Sequence, residues 1–394
     1  PSYADHMLPG TGFDGREILV VKPDFTSLRI LPYNPKSAVV MGTAHTVEDE
    51  LSPLCTRGLL MRVIQTALAD HNIVFNVGAE LEFTLHDIKT GEAPDASVFA
   101  NSTTLNQQED FISDLYDQLR AQDIAVELLH AESSPGQLEV VLDYLPDPLR
   151  LVDNVVLAKE TIQQVARKHG FKALFLPKIG SDKAGNGLHL HLSFADAKPD
   201  AQPSSANASQ GTNESSSSNS SHENYFAREG QSFVEGILQH LPGLLAVTIP
   251  SRNSFRRVGK GCWTGYQVGW AVEDKEAPMR LCRDVYTGFL SNVELKLSDA
   301  TANLYLSLAC VLACGLKGIV HKMKLRPALT LQQGTPLPAS FGEALKVMAT
   351  DKFLAEEILG LDLGRGYLAL RMTEAERSEK MTLADEVADA LSKA

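Results

Sequence analysis

The chain has 394 residues, 44% of them hydrophobic and 22% charged, which is typical of a globular protein with a large core and more than one domain. Its net charge of −13 argues against nucleic-acid binding, which generally needs a basic surface. Five cysteines without a CxxC pair indicate free thiols in a reducing compartment. No signal-peptide pattern is visible, and the longest apolar run, Leu304 to Leu316, is short for a membrane span. We therefore expect a cytoplasmic protein with no membrane partner.

Strands and helices are predicted along the whole chain. Residues 16–43 are expected to form short strands joined by turns, and residues 53–71 a helix that leads into the strand IVFNVGAELEFTLHD. Further helices are predicted at about 107–122, 147–169, 224–240, 299–322, 339–349 and 351–359, and further strands at IAVELLH, 171–176 and GLHLHLSF. Mixed elements without a regular βαβ repeat indicate the α+β class. The Ser- and Asn-rich segment at about 197–223 cannot bury apolar surface and is predicted to be a disordered insertion within one domain.

Acidic and imidazole residues recur at strand spacing in separate segments. The set is Glu80, Glu82, Glu132, Glu139, His189, His191 and Glu294. Side chains alternate along a strand, so the two members of each E-x-E or H-x-H pair point to the same face. Each segment alone could also be an ordinary solvated strand or turn. Together they could line one cleft, whose negative charge would require cations, and oxygen-rich ligands favour Mg²⁺ or Mn²⁺.

A basic segment, PSRNSFRRVGKG, follows the insertion. It carries four cationic side chains within a loop of small residues, and Lys275 and Arg280 come soon after it. Arginine forks bind carboxylates and phosphates, although a solvated basic loop is an equally good interpretation. The sequence contains neither a G-x-x-x-x-G-K-[ST] loop nor a dinucleotide-binding glycine fingerprint. A nucleotide would therefore have to be held by metal bridges and arginine.

Six segments taken in order resemble the motifs of the glutamine synthetase family, over about residues 22 to 350. They are VKPDFTSLRILPY, VGAELEF, PGQLEV, NGLHLHLS, NSFRR and VELKLSDATANLYLSLACVLACGLKGI. The resemblance implies a catalytic domain at 51–394, with a curved antiparallel sheet and surrounding helices that form a funnel for ATP and an acidic amino acid. Residues 1–50 would be a truncated remnant of an N-terminal β-grasp domain, in which Asp14 is a candidate for the acid that completes a neighbour's site. A homo-oligomeric ring is expected on the same basis.

The resemblance also implies roles for single residues. The implied ligands of one divalent metal are Glu82, Glu132 and Glu139, and those of the second are Glu80, His189 and Glu294. Arg257 resembles the arginine that holds the substrate carboxylate, and Gly187 and Lys296 are assigned to the same substrate. Arg280 and Lys275 fall at positions that contact phosphate. Glu127, His191 and Ser193 fall at positions associated with the nucleotide.

The implied reaction is an ATP-dependent carbon–nitrogen ligation. ATP would convert the carboxylate of glutamate, or a similar acid, into an acyl phosphate, and ammonia or an organic amine would displace phosphate to form a γ-glutamyl amide. The loop VGKGCWTGYQVGW lacks the acid that ammonia-using members carry, which resembles FluG-like proteins and γ-glutamyl-amine ligases. Asn292 and Lys296 stand where the family usually has arginine. A non-catalytic structural or regulatory protein is the main alternative, and a metal-dependent phosphotransferase or hydrolase is a third.

Overall fold

The computed structural model describes residues 18–96, 99–197 and 219–393, together with 2–3, 6–8 and 11. Most of the predicted disordered insertion lies outside these residues, and so does Asp14. The part of that prediction at 219–223 is helical instead, because the following helix begins at Asn219.

The strands are β1 (Ser2–Tyr3), β2 (His6–Met7), β3 (Val20–Ile30), β4 (Ala38–His45), β5 (Ile73–Asp87), β6 (Val126–Ala131), β7 (Gln137–Leu145), β8 (Phe171–Leu174), β9 (Leu188–Asp196), β10 (Gln267–Val268), β11 (Trp270–Val272), β12 (Met279–Arg283), β13 (Leu290–Leu295) and β14 (Thr335–Pro336). The α-helices are α1 (Thr56–His71), α2 (Ser102–Gln107), α3 (Glu109–Ala121), α4 (Pro148–Lys168), α5 (Asn219–Thr248), α6 (Arg252–Phe255), α7 (Leu304–Val320), α8 (Phe341–Thr350), α9 (Gly360–Ser378) and α10 (Leu383–Lys393). A π-helical turn spans Phe353–Ile358.

An eight-stranded sheet forms the centre of the molecule. Its strand order is β11-β12-β13-β9-β5-β7-β6, and β8 also pairs with β5. All of its pairings are antiparallel except that of β11 with β12. Along β5 the apolar side chains from Phe75 to Leu85 are buried in the core, while Glu80 and Glu82 occupy alternate positions and face the other side. The mixed fold with a central antiparallel sheet and flanking helices confirms the predicted class.

Helices α1, α4 and α5 cover the apolar face of the sheet, and α7 packs against these three helices. Helices α5 and α7 approach each other closely, because a Cβ on Gly318 would lie 2.0 Å from the Ser232 carbonyl oxygen. The predicted helix at 299–322 begins later, at Leu304, because the Asn303 side chain caps it by accepting the Leu306 N–H. No helix among the described residues is long and apolar enough to cross a membrane.

The hairpin of β3 and β4 is a separate two-stranded sheet that a buried ion-pair network fastens to the helices. Arg57 on α1 donates to Asp153 on α4 at 3.1 and 2.8 Å, and to Asp24 on β3 at 2.8 Å. The Tyr305 hydroxyl on α7 donates to Asp153 at 2.5 Å. Four elements are thereby joined at one point next to the core.

Candidate active site

A cavity of about 570 Å³ opens on the polar face of the sheet. It is lined by ten of the residues that the sequence pointed to, namely Glu80, Glu82, Glu132, Glu139, His189, Arg257, Lys275, Arg280, Glu294 and Lys296. The other four proposed residues, Glu127, Gly187, His191 and Ser193, are not among the lining residues. The structure therefore brings the acidic and the basic segments together around one space.

Strand register decides which of the acidic and imidazole groups meet. On the central strand β5, Glu80 pairs with His189 of β9, and Glu82 pairs with Glu139 of β7. One strand further out, Glu294 of β13 lies opposite His191. Two rows of polar side chains therefore cross the sheet at the level of Glu80 and Glu82.

The first row joins Glu80 and His189, and the Glu294 side chain reaches it diagonally from β13. The His189 Nδ1 atom lies 2.9 Å from Glu80 Oε2 and 3.4 Å from Glu294 Oε1. Burial alone would raise the pKa of Glu80, but hydrogen bonds with His189 and His191 outweigh it and hold the pKa well below its usual range. Burial likewise opposes ionisation of Glu294, yet the nearby His189 and Lys296 keep its pKa lowered. Both carboxylates are thus held in their charged form.

The second row joins Glu82, Glu139 and His130, a residue that the sequence analysis missed, and Glu132 lies beside it. His130 Nε2 is 3.1 Å from Glu139 Oε1, and its Nδ1 is 3.9 Å from Glu132 Oε1. Its hydrogen bond with Glu139 raises the pKa of His130 to about 9, against the opposing effect of burial. Burial raises the pKa of Glu82, and repulsion by Glu139 adds to it.

The donor set fits divalent metal ions. Ligand atoms lie within 4.8 Å of one another in three groups, which are Glu80 with His191 and Glu294, Glu80 with Glu139 and His189, and His130 with Glu132 and Glu139. Carboxylate oxygens dominate each group, a composition that suits Mg²⁺ or Mn²⁺. The clusters overlap at Glu80 and Glu139, so neighbouring ions would share one continuous acidic wall.

A basic wall of the cavity adjoins the acidic one, since Arg280 and Lys296 contact Glu294 and Arg257 contacts His189. Arg257 is only 3% exposed, and its guanidinium reaches the carbonyl oxygens of Lys296 and Ser298 at 3.3 to 3.4 Å. Within the described residues Arg257 forms no ion pair with a carboxylate. A buried guanidinium held by long contacts to carbonyl oxygens and to His189 Nε2 at 3.5 Å is under-compensated, which favours an incoming carboxylate.

Arg280 and Lys296 both approach Glu294. The Arg280 Nε atom lies 2.5 Å from Glu294 Oε2, although the angle is not that of a hydrogen bond, and Lys296 Nζ donates to Oε1 at 2.8 Å. Burial would lower the pKa of Arg280, but the charge of Glu294 outweighs it and raises the pKa. These two cations therefore neutralise the charge of Glu294, a candidate metal ligand.

Gly187 lies immediately behind the basic wall. Its N–H donates to Glu82 Oε2 at 2.8 Å. A Cβ at this position would lie 2.6 Å from a terminal nitrogen of Arg257 and 2.6 Å from His189 Nε2. Only glycine leaves both side chains where they are, so this position couples the acidic wall to the basic one.

The three residues implied for the nucleotide lie beside the cavity. The His191 ring stacks edge-on to Tyr144 with centroids 6.4 Å apart, and its nitrogens lie 2.9 Å from Asn292 Oδ1 and from Glu80 Oε1. Burial raises the pKa of Tyr144, and the charge of Glu127 adds to this shift. Ser193 follows His191 on the same face of β9 and is half-buried, whereas Glu127 is exposed.

Two residues that support the cavity lining were missed because only the tertiary structure reveals them. Gln137 is 1% exposed, and its side-chain amide donates to Gly185 O and to Asn186 Oδ1 at 3.0 Å. Glu276 accepts the N–H groups of Gly261 and Trp263 at 3.1 and 2.9 Å.

The period-two spacing that marked Glu80 could have marked His130, which precedes Glu132 by two residues, but a lone histidine in a strand is usually structural.

Similarity to known proteins agrees with this geometry. Residues 53–389 match the family model described as "Glutamine synthetase, catalytic domain", and the chain belongs to this family. A γ-glutamylpolyamine synthetase, GlnA3 of Streptomyces coelicolor, is 32% identical over 94% of this chain and 80% of its own length. A glutamate–isopropylamine ligase from Pseudomonas sp is 24% identical over 95% of this chain and 82% of its own length.

A solved structure confirms the fold. The crystal structure of a novel glutamine synthase homolog superposes with a TM-score of 0.80 at 24% identity, over 98% of this chain and 87% of the other. Relatives of this family indicate an enzyme of the ligase class.

Proposed function

We propose that this protein is an ATP-dependent carbon–nitrogen ligase that forms a γ-glutamyl amide through a γ-glutamyl phosphate. The observation that carries the proposal is the cavity itself, in which a cluster of carboxylates and imidazole adjoins a cluster of cations. An acyl-phosphate route needs both, because the phosphoryl oxygens and the substrate carboxylates are negative and must be held close together. Mg²⁺ or Mn²⁺ held by Glu80, His189 and Glu294 and by Glu82, Glu132 and Glu139 would supply charge neutralisation and orientation.

The basic side chains have distinct tasks in this proposal. Arg257 binds a carboxylate of glutamate, because it is the buried cation without an ionic partner among the described residues. Gly187 permits that contact by leaving the guanidinium in place, and Lys296 lies at the same end of the cavity. Arg280 and Lys275 stabilise negative charge on the transferred phosphoryl group. Glu127, His191 and Ser193 hold the nucleotide beside the cavity.

The second half-reaction joins the amine to the activated acid. The nitrogen lone pair forms the C–N bond, the C–O bond to phosphate breaks, inorganic phosphate leaves, and the nitrogen gives up a proton to solvent. Ammonia and organic amines are both candidates. The names of the two relatives, a polyamine synthetase and an isopropylamine ligase, support an organic amine. The loop at 258–270 contains no acid, which supports the same choice.

Phosphate release from ATP with Mg²⁺ tests the proposal. It is measured with and without glutamate, across ammonia and a panel of amines, for the wild type and Glu82→Gln. Glu109→Gln, at an exposed position on α3, is the matched control. Release that needs glutamate, rises with one amine and disappears only in Glu82→Gln is expected. Measurable ATP binding without release under any condition would instead support the non-catalytic alternative, and release without an amide product would support a phosphotransferase or hydrolase.

Assembly, domain boundaries and location are proposed on family membership. We propose that residues 1–50 belong to a β-grasp-like segment, that 51–394 form the catalytic domain, and that copies assemble into a homo-oligomeric ring in the cytoplasm. The hairpin of β3 and β4 supports assembly, because Val21, Phe25 and Ile30 are 68%, 73% and 65% exposed there. Light scattering of the wild type and of Phe25→Ser measures the mass, and a wild-type monomer would contradict the ring.

A further inference from the structure

Two aromatic side chains at the edge of the cavity have no part in the chemistry described so far. Phe99 precedes α2, and Trp263 lies in the loop between α6 and β10. Each lines the cavity and is 52% exposed, so each ring stands where the cavity meets solvent. The ammonium of Lys275 lies 5.9 Å from the Phe99 ring centroid and 5.1 Å from the Trp263 ring centroid. Both rings therefore lie close to the same alkylammonium group, that of Lys275.

Neighbouring groups fix the position of both rings. Trp263 has a φ angle of +56°, a left-handed conformation that is unfavourable for a bulky residue and persists only where other contacts hold it. Glu276 supplies such a contact by accepting the Trp263 N–H at 2.9 Å. The Phe99 ring packs edge-on against His130, with centroids 6.1 Å apart. Contacts with neighbouring residues therefore hold both rings in place at the cavity edge.

We propose that Phe99 and Trp263 bind the distal ammonium group of a diamine or polyamine nucleophile. The inference rests on the proposed function, because it takes the amine to be the nucleophile of the ligase. The attacking nitrogen must be neutral, whereas a second amino group on the same molecule keeps its charge and is attracted to the faces of both rings. Ammonia and monoalkylamines have no second ammonium group, so the site distinguishes the two classes.

Lys275 occupies this site in the absence of nucleotide. Its side chain is exposed and long, and its pairing with the rings involves no ionic partner among the described residues. Lys275 is also the residue proposed above to contact phosphate. Nucleotide phosphates would draw its ammonium into the cavity and free the rings, so diamine binding is expected to follow nucleotide binding.

The test compares 1,4-diaminobutane with butylamine, which has the same carbon chain and one amino group. With ATP, Mg²⁺ and glutamate, kcat/KM for the diamine should be about tenfold higher, as expected for cation–π contacts with two rings. Trp263→Ala and Phe99→Ala should each remove most of this preference through KM, while Trp263→Phe retains it. Tyr286→Ala, at an aromatic residue 95% exposed outside the cavity, is the matched control.

Hydroxylamine serves as a small neutral nucleophile that does not need the aromatic site. Hydroxamate formation by the wild type and all variants, together with equal kcat/KM for the two amines, would overturn the ammonium site and leave the ligase standing. A diamine preference that Trp263→Ala leaves unchanged would overturn it too. If no nucleophile reacts, the ligase itself fails.

An activity-independent measurement then decides the ammonium site. The chain has two tryptophans, so Trp270→Phe leaves Trp263 as the sole tryptophan, whose emission is excited selectively. With a non-hydrolysable ATP analogue and Mg²⁺, 1,4-diaminobutane should shift its emission saturably, and 1-butanol, which has no ammonium group, should not. The same response to both compounds, or to neither, would refute the site.

Discussion

Substitution of Gly187 by alanine is expected to displace the side chains of Arg257 and His189 while both residues stay unchanged. The added Cβ would lie 2.6 Å from a terminal nitrogen of Arg257 and 2.6 Å from His189 Nε2. Favourable contacts between such atoms begin at about 3.5 Å, so each nitrogen must retreat by about 1 Å. Both obstructing atoms are side-chain ends, so we expect the fold to survive while the site geometry changes.

The expected loss of activity follows from that displacement. A misplacement of about 1 Å in a catalytic constellation costs about 100-fold in rate. We therefore expect kcat/KM for glutamate to fall about 100-fold in Gly187→Ala, with a large share in KM, because the displaced Arg257 is the proposed partner of the substrate carboxylate.

Steady-state kinetics with glutamate as the varied substrate measure the effect, and circular dichroism checks the fold. Gly259→Ala is the matched control, since the Cβ there would meet its nearest neighbour, Cys262 Sγ, at an ordinary 3.5 Å. A folded Gly187→Ala protein with wild-type kcat/KM would show that Arg257 does not bind substrate from its position in this structure.

Three further substitutions test the fold. Asp153→Ala leaves the buried Arg57 without its main partner and should lower the free energy of unfolding by about 3–5 kcal/mol in urea titrations. Gly318→Ala should cost at least about 2 kcal/mol because its Cβ meets a backbone oxygen, whereas Gly342→Ala, which meets nothing within 4 Å, should be close to neutral. Burial would raise the pKa of Asp114, but hydrogen bonds with neighbouring side chains lower it to about 2. Asp114→Asn should therefore cost about 1 kcal/mol at neutral pH, and the difference should shrink as the pH falls from about 4 toward 2, where the folded carboxylate also takes up its proton.

Strand periodicity was sufficient to predict which side chains share a face, but not which of them meet. The spacing of Glu80 and Glu82 sets their common face, because alternation is a property of a single strand. The pairing of Glu80 with His189 and of Glu82 with Glu139 depends on register between segments more than 50 residues apart, which no local pattern determines. The resemblance to a family supplied that information instead.

Other features could not be predicted because they arise from loops and chain ends. Glu276 lies in the turn before β12, and the fold of this turn brings its carboxylate to the loop at 259–264. Its hydrogen bonds with the Gly261 and Trp263 N–H groups therefore leave no signal in the sequence. The predicted start of α7 at residue 299 lies five residues before the observed start at Leu304, where Asn303 caps the helix. Helices α9 and α10 were not predicted at all.

The effect of Glu82 on the free energy of unfolding distinguishes the ligase from a non-catalytic protein. Glu82 and Glu139 are register partners, 7% and 6% exposed, so two carboxylates are buried side by side. Neutralising one of such a pair removes repulsion, and we expect Glu82→Gln to raise the free energy of unfolding by about 1 kcal/mol in metal-free buffer while it abolishes phosphate release. Urea unfolding with a chelator measures the first effect. If Glu82→Gln instead destabilises the metal-free protein, the acidic row is a structural element, and its retention says nothing about catalysis.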